Sequence, residues 1–245
     1  MTLRKTPTKS VRLVHTSDLH IYSPESCITL SRIVESANEA NADLLLVAGD
    51  LFDNSRVTQE TVEKTVEALS HLNMPAVLLP GNHDQLDDHS VYHRVNLSFA
   101  PLVHLITNTD GQQVGFPDLD LVVWGRAMEE HSPKFRPLEG APSRDGFGWY
   151  VGMAHGFHYP TGEKPDRSSP IFAEEIAKTS YDYMALGHVH VYRNVSSGPV
   201  SAFYSGAPDD HAIAAITKNI GQIALVTLDP QSGVQVEQIP LVGQT

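Results

Sequence analysis

The feature that most constrains the fold is an alternation of apolar runs and helical patterns over the first eighty residues. The apolar runs at 11–15, 43–48 and 74–79 predict strands, and the segments 24–40 and 58–72 between them predict helices. The unbroken run at 43–48 is typical of a strand covered on both faces. A strand-helix-strand-helix-strand order predicts parallel strands joined by right-handed crossovers, and therefore an α/β fold.

The two predicted helices have identifiable starts and buried faces. Ser23 and Pro24 are suited to the N-cap and the first position of the first helix. Its apolar residues near helical spacing are Ile28, Ile33, Val34 and Ala37, and Cys27 is expected on the same buried face. The expected inward residues of the second helix are Thr61, Val62, Val66 and Leu69.

The second half of the chain predicts further strands rather than a continued alternation. Segments 103–107 and 121–125 alternate like strands around Asp110-Gly111, which favours a hairpin turn there. Segments 131–148 and 160–170 are expected to be loops, and 89–95 and 171–178 short helices. Later strands are expected at 149–154, 181–186, 200–204, 223–227 and 234–239. The sum is two stacked, mixed sheets with helices outside, in one domain covering residues 1–245.

Metal-binding side chains follow five of these strands. Asp18, Asp50 and Asn82 come after the first three strands, whose carboxyl ends meet at one edge of a parallel sheet. The two-residue spacing of Asp18 and His20 puts both side chains on one side of the backbone, where they can chelate one ion. A carboxylate has two oxygens, so Asp50 is the candidate bridge between two ions. His155, and His188 with His190, complete the set of oxygen and nitrogen donors that borderline divalent metals prefer.

The motifs Asp18-x-His20, Gly49-Asp50-x-x-Asp53, Gly81-Asn82-His83-Asp84, His155 and Gly187-His188-x-His190 occur in this order. Together they resemble the calcineurin-like metallophosphoesterase superfamily, and within it the exonuclease branch typified by the SbcD and Mre11 nucleases. The resemblance implies a four-layer α/β/β/α sandwich holding two divalent ions, namely manganese, iron or zinc, with manganese expected first. It implies one ion on Asp18, His20, Asp50 and His190, and the other on Asp50, Asn82, His155 and His188. His83 would act on the leaving group, supported by Asp53.

A two-metal site of this kind fits phosphoester hydrolysis on physical grounds. Two divalent ions outweigh the charges of Asp18 and Asp50, so the loaded site attracts an anionic ester. Paired ions also acidify a water and hold both the attacking and leaving oxygens. His83, beside Asn82, is suited to donate a proton to the departing alkoxide, and Asp53 to orient its other nitrogen.

Departures from the superfamily pattern narrow the expected substrate. The superfamily's protein phosphatases carry an arginine directly after the Asp53 position, where this chain has Asn54, and Arg56 is offset by two residues. The exonucleases continue into a capping domain and a segment that binds an ATPase partner, neither of which is expected within these 245 residues. The first interpretation is a phosphodiesterase for small or single-stranded phosphodiester substrates, including nucleotides.

Three alternatives stay open at this point. One is a DNA exonuclease that needs an ATPase partner, and another is a phosphomonoesterase or promiscuous phosphotriesterase. The third, a non-catalytic scaffold, is disfavoured because such proteins usually lose ligands and none is missing. Some relatives form dimers through their early helices, which nothing in this sequence requires.

Composition limits the partners and the location. The net charge of −12, from 29 acidic and 17 basic residues, disfavours a long surface that follows a phosphate backbone. Arg4, Lys5, Lys9 and Arg12 form a short basic arm, interpreted as a solvated terminus. One cysteine, Cys27, fits a reducing compartment, and the absence of a long apolar run predicts no membrane span; the cytoplasm is the expected location.

The remaining histidines are expected to have ordinary structural or surface roles. His15, inside a strand, is interpreted as a core group or one that supports a ligand, and His158 as a loop residue that is more structural than substrate-binding. Six others are interpreted as surface or satisfied polar groups: His71, His89, His93, His104, His131 and His211.

Overall fold

A computed structural model describes residues 7–144, 146, 148–209 and 221–241. The helices in these ranges are α1 (Cys27–Glu39), α2 (Gln59–Ser70) and α3 (Ala173–Thr179). The strands, in chain order, are β1 (Val11–Thr16), β2 (Leu44–Ala48), β3 (Ala76–Leu79), β4 (Val103–Leu105), β5 (Gln112–Phe116), β6 (Leu121–Gly125), β7 (Trp149–His155), β8 (Phe157–Tyr159), β9 (Pro170–Phe172), β10 (Tyr183–Gly187), β11 (Arg193–Asn194), β12 (Ser201–Tyr204), β13 (Gln222–Asp229) and β14 (Gly233–Pro240).

Two mixed sheets of six strands each form the centre of the fold. The first has the order β14-β13-β1-β2-β3-β4, with β1 to β4 parallel and β13 and β14 antiparallel. The second has the order β11-β12-β10-β7-β6-β5, with β12, β10, β7 and β6 parallel. The predicted pair of mixed sheets is therefore confirmed.

Three apolar cores separate four layers. In β2, Leu45 and Val47 face the core under α1 and α2, whereas Leu46 and its alternate neighbours face the core between the two sheets. Both faces of this strand are covered, which explains its unbroken apolar sequence. A third core, including Ile176 of α3 and Met184 of β10, covers the outer face of the second sheet. The layers are helix, sheet, sheet and helix, as expected.

The helices match the predictions in their buried faces more closely than in their starts. Thr58 caps α2 by accepting from the Thr61 amide at 3.2 Å, and the predicted inward residues of that helix are buried. The first helix begins at Cys27, because Ser23 closes a preceding turn in which the Ser26 amide donates to its carbonyl at 3.1 Å. Ile28, expected inward, is 54% exposed, and this prediction was wrong.

The predicted hairpin at Asp110-Gly111 was wrong. Strand β4 pairs in parallel with β3 in the first sheet, whereas β6 pairs with β5 in the second. The turn at Gly111 is therefore the passage between the sheets, and the hairpin is β5–β6, closed by a 3-10 turn at Pro117–Leu119. Alternation alone could not distinguish the two partners.

The remaining segments largely follow the expectation. The helix expected at 89–95 is a 3-10 helix, Val91–Arg94. The described part of 131–148 has no helix or strand before β7. His211 and the basic residues Arg4 and Lys5 lie outside the described residues. Within the described ranges, every helix is too short or too polar to cross a membrane.

Candidate metal centre

All seven predicted ligands lie at the carboxyl ends of neighbouring strands. In the first sheet, β1, β2 and β3 are adjacent and are followed by Asp18, Asp50 and Asn82. In the second sheet, β7 ends at His155, and His188 directly follows β10, its neighbour. Because the sheets are stacked, the two groups of donors meet in one site.

One quartet of donors gathers around His20 and His190. Their Nε2 atoms are 3.3 Å apart. The Nε2 atom of His190 is 3.7 Å from an Asp18 carboxylate oxygen, and that of His20 is 3.8 Å from Oδ2 of Asp50. Two imidazoles and two carboxylates therefore adjoin one another, and donor atoms of Asp18, His20 and His190 all lie within 4.8 Å of each other.

A second quartet shares the same Asp50 oxygen. Oδ2 of Asp50 lies 3.2 Å from Nε2 of His155, which is 2.9 Å from Oδ1 of Asn82. The same Asn82 oxygen is 2.8 Å from Nδ1 of His188. One Asp50 oxygen thus stands between both quartets, the position required of a bridging ligand.

The backbone at this site is held in an uncommon conformation. Four of the seven residues have positive φ, namely Asp18 at 56°, His20 at 48°, Asp50 at 53° and His188 at 97°. Such conformations cost about 1–3 kcal/mol each and persist only where surrounding contacts impose them. Here the Asp18 amide donates to the Gly49 carbonyl, the His20 amide donates to the Asp50 carbonyl, both at 3.0 Å, and the His188 amide donates to the Asp18 carboxylate. These backbone hydrogen bonds therefore fix the positions of the predicted ligands.

Two glycines allow this close approach. A Cβ atom at Gly49, where φ is 95°, would lie 2.0 Å from Nδ1 of His155. A Cβ atom at Gly81 would lie 2.2 Å from Oδ1 of Asp50. Each glycine therefore leaves space for a predicted ligand at the end of another strand, in addition to allowing the backbone to turn.

The protonation states of Asp50 and His188 suit metal ligation, whereas His155 must first lose a proton. Burial alone would lower the pKa of His155, but the Asp50 carboxylate outweighs burial and raises it to about 9. Burial would raise the pKa of Asp50, but His155 lowers it well below its ordinary value, so the carboxylate is charged. Burial, with protonated His155 nearby, lowers the pKa of His188 to about 3, so its ring is neutral. Metal binding would displace the proton of His155.

The donor chemistry fits divalent ions. Nδ1 of His155 donates to the Ala48 carbonyl at 2.9 Å, so in a neutral ring the Nε2 lone pair would face two oxygens. Two acceptors and a lone pair need a cation between them, either a proton or a metal. The two quartets of imidazole nitrogen and carboxyl or amide oxygen match manganese, iron or zinc. Metal binding by these seven residues stays a prediction.

His83 lies beside the first quartet, and its orientation differs from the expectation. Its Nδ1 donates to the main-chain carbonyl of Asp53 at 2.8 Å, whereas the Asp53 carboxylate is 3.9 Å from that nitrogen. The same carboxylate is 3.5 Å from Nδ1 of His20. The Asp53 carbonyl therefore makes the hydrogen bond that was expected of the carboxylate, and the expected role of the Asp53 carboxylate in orienting His83 stays a prediction.

Asp84 holds the loop that carries Asn82 and His83. It is fully buried and accepts from the Gly81 amide at 2.7 Å, the Phe52 amide at 3.1 Å and the Tyr92 hydroxyl at 2.7 Å. The sequence motif contained this residue, but only the fold reveals its three donors. Its contacts join the loop after β3 to the loop after β2.

Another contact that the sequence did not single out is made by His131. Its ring centroid lies 5.5 Å from that of His188, and its Nδ1 is 3.2 Å from the Ser169 hydroxyl. Ser169 is fully buried and has a φ of 51°. A polar loop gave no pattern from which this proximity could have been predicted.

The other singled-out histidines lie in the structure as expected or close to it. His15 is fully buried with Nδ1 2.9 Å from the Tyr183 hydroxyl, which agrees with a core group. His158 is buried in β8 rather than on a loop. Asn54 donates to the Asp53 carboxylate at 3.0 Å, and the exposed Arg56 contributes a backbone amide to Asn54.

Comparison with known proteins identifies a matching family and several similar proteins. The calcineurin-like phosphoesterase family matches residues 11–192. The uncharacterized metallophosphoesterase YhaO of Bacillus subtilis (strain 168) is 24% identical over 222 residues, which cover 79% of this chain and 52% of YhaO. The DNA double-strand break repair protein Mre11 of Methanopyrus kandleri is 29% identical over 231 residues, which cover 81% of this chain and 49% of that protein. The chain therefore spans about half the length of these curated relatives.

A solved structure supports the architecture. The purple acid phosphatase PPD1 from yellow lupin (Lupinus luteus) seeds is similar with a TM-score of 0.61 at 15% identity, over 98% of this chain and 53% of that one. At this identity the likeness shows the fold alone.

Proposed function

Because the chain belongs to the calcineurin-like phosphoesterase family, we propose that it is a two-metal-dependent phosphodiesterase acting on small or single-stranded phosphodiesters. The observation that carries this proposal is the meeting of two donor quartets at one oxygen of Asp50. His83, at the edge of the first quartet, supplies the proton donor that a hydrolytic site needs.

The chain's own residues would hold the ions in two places. Asp18, His20 and His190 would bind one and Asn82, His155 and His188 the other, with Asp50 common to both. Bound there, the ions would supply charge that attracts the phosphate and would lower the pKa of a water toward ~7. We propose manganese first, with iron and zinc as the other candidates that these donors suit.

His83 would protonate the leaving oxygen. Its Nδ1–H is used by the Asp53 carbonyl, so the proton to be donated is held at Nε2 of the imidazolium. Its side chain is 45% exposed, which leaves room for a substrate to reach that nitrogen. The Asp53 carbonyl fixes the ring so that proton transfer needs no rotation.

The surroundings of Asp53 support a diester over a monoester. A monoester dianion carries one more negative charge than a diester, and a cation beside the site would favour it. The position after Asp53 carries Asn54, whose amide is used by the Asp53 carboxylate. That carboxylate is 40% exposed beside His83 and would repel the additional charge.

A second candidate is a DNA exonuclease that works with an ATPase partner. The observation that favours it is the 29% identity with the Mre11 protein of Methanopyrus kandleri over most of this chain. We propose the cytoplasm as the location for either activity, in keeping with the free, buried Cys27.

Hydrolysis assays separate the candidates. The chain, loaded with manganese, would be given bis(p-nitrophenyl) phosphate, p-nitrophenyl phosphate and single-stranded DNA, each with and without chelator. We expect the diester to be cleaved fastest and chelator to abolish cleavage. DNA digestion at rates far above those of the small diester would favour the exonuclease, and full activity in chelator would refute the metal-dependent proposal.

A further inference from the structure

A cleft of about 590 Å³ opens beside His83 and continues from the metal centre into solvent. Its inner end is formed by Asp18, His20, Asp53, His83 and His190. Its outer part is formed by the segment that joins β1 to α1, by the start of α1 and by Asp209. The cleft therefore begins where a scissile ester would sit and leads away past the proton donor.

Two exposed apolar side chains line the outer part. Tyr22 is 67% exposed and Ile28 is 54% exposed. Four large hydrophobic side chains are exposed within the described ranges, and two of them lie in this one cleft. Ile28 was predicted to pack on the buried face of α1. Because it is exposed instead, the packing of α1 does not explain an apolar side chain at this position.

The backbone that carries Tyr22 is ordered. The amides of Tyr22 and Ser23 both donate to the Ser26 hydroxyl oxygen at 3.0 Å, and that hydroxyl donates to the Ser23 carbonyl at 2.7 Å. On the other side, Ile21 forms a bridge with Phe52. An aromatic ring on a fixed backbone is a suitable stacking surface, because little conformational freedom is lost when a planar group binds.

Apart from the histidines at its inner end, the charged residues of the cleft are all acidic. Glu25, Asp53 and Asp209 line it together with Asp18, and no lysine or arginine is among the described lining residues. A hydrogen bond from Ser23 lowers the pKa of Glu25, which keeps this carboxylate ionised at neutral pH. Asp209 accepts from the Thr29 hydroxyl at 3.0 Å. A group bearing its own negative charge would be repelled along the outer cleft.

We propose that this cleft binds the alcohol that leaves during hydrolysis, and that it selects an alcohol with a planar, apolar ring and no negative charge. A nucleoside without a further phosphate, or an uncharged or cationic aryl alcohol, has this chemistry. The proposal rests on the proposed function, since His83 defines which side of the phosphate the leaving group occupies. It also explains how an acidic protein uses an anionic substrate, because only the scissile phosphate would face the metals.

Methyl aryl phosphates with three different ring substituents test the proposal on the manganese-loaded chain. The aryl group leaves in each, and its substituent is a neutral carboxamide, an anionic carboxylate or a cationic aminomethyl group. At low salt we expect kcat/KM for the carboxylate to be about tenfold below that for the other two, mostly through KM, since each acidic residue contributes a few-fold effect at the surface. Equal values for all three would overturn the charge selection.

Variants outside the catalytic residues locate the effect. Tyr22→Ala should raise KM for the carboxamide ester about fivefold or more, with kcat little changed, and Tyr22→Phe should restore it. Glu25→Gln should reduce the penalty on the carboxylate ester. The matched controls are Phe99→Ala, equally exposed but outside the cleft, and Glu35→Gln, an exposed acid elsewhere on α1.

Two failures can be told apart. If the unmodified, manganese-loaded chain does not hydrolyse bis(p-nitrophenyl) phosphate, the proposed function itself is refuted. Normal hydrolysis of that diester, with Tyr22→Ala and Glu25→Gln behaving like their controls, would leave the phosphodiesterase standing and refute the leaving-group cleft. Faster cleavage of a longer DNA strand than of a dinucleoside monophosphate would also overturn it, because additional phosphates should be penalised.

Discussion

Replacing Gly49 by alanine tests whether the backbone of this site is built around its ligands. The new methyl group would lie 2.0 Å from Nδ1 of His155 and within 3 Å of two ring carbons. His155 cannot move aside easily, because it is buried and its Nδ1 donates to the Ala48 carbonyl at 2.9 Å. The substitution should therefore displace a predicted ligand without removing any ligand atom.

The expected cost has two parts. Alanine at a φ of 95° costs roughly 1–2 kcal/mol of backbone strain. Forcing the ring from its place adds about 1–3 kcal/mol for overpacking and about 1–3 kcal/mol for buried polar groups that lose their partners. Gly233→Ala is the matched control, because Gly233 has a φ of 80° and nothing within 4 Å of its Cβ position. It should show the strain alone.

Thermal unfolding and metal analysis measure the two consequences. For a chain of this size, an additional loss of about 2 kcal/mol lowers Tm by roughly 4–8 °C, so Gly49→Ala should melt at least about 4 °C below Gly233→Ala. After manganese loading, Gly49→Ala should retain fewer ions per chain than the control. Equal Tm values and equal metal contents would refute the role given to Gly49.

Three further predictions concern the site and the core. His83→Ala should slow alkyl esters more than nitrophenyl esters, because poor leaving groups need proton donation most; equal slowing in steady-state assays would refute that role. Asp50→Asn should reduce metal occupancy of both sites, and elemental analysis finding two ions per chain would contradict the bridge. Burial lowers the pKa of His15 from 6.5 to about 3. As the pH falls below ~6.5, His15 therefore becomes protonated in the unfolded chain before it does in the folded chain, and the folded state loses stability. His15→Leu should flatten the stability slope in denaturant titrations between pH 6 and 4 by up to about 1.4 kcal/mol per pH unit, and an unchanged slope would count against neutral burial.

The first half of the fold could be predicted because its signals are local. The alternation through α2 and β3 has strong periodicity, and a covered strand such as β2 is apolar throughout. The hairpin was wrong because β4 and β6 look alike in sequence and differ only in which sheet they join. Pairing between distant strands depends on packing that alternation does not encode.

The site shows the same division. The candidate donors and their order were visible in the sequence, because chemistry restricts which side chains bind such metals, and the structure brings these side chains together. Two other contacts could not be predicted, because they depend on the paths of the backbone through loops. They are the ring contact of His131 with His188 and the hydrogen bond from His83 to the Asp53 carbonyl. Every residue has a main-chain carbonyl that can accept such a hydrogen bond, so the residue type does not reveal which carbonyl will do so.

This last point yields a distinction that mutagenesis can make at Asp53. If the carbonyl alone orients His83, Asp53→Asn should keep that hydrogen bond and the rate assistance to alkyl esters, because the backbone is unchanged. The carboxylate, 3.5 Å from Nδ1 of His20, would instead affect how firmly His20 binds its ion. We therefore expect Asp53→Asn to weaken manganese affinity by roughly 10–100-fold while preserving the ratio of alkyl to nitrophenyl ester rates at saturating metal. A ratio as low as that of His83→Ala would mean that the carboxylate, despite its 3.9 Å separation, governs the proton donor.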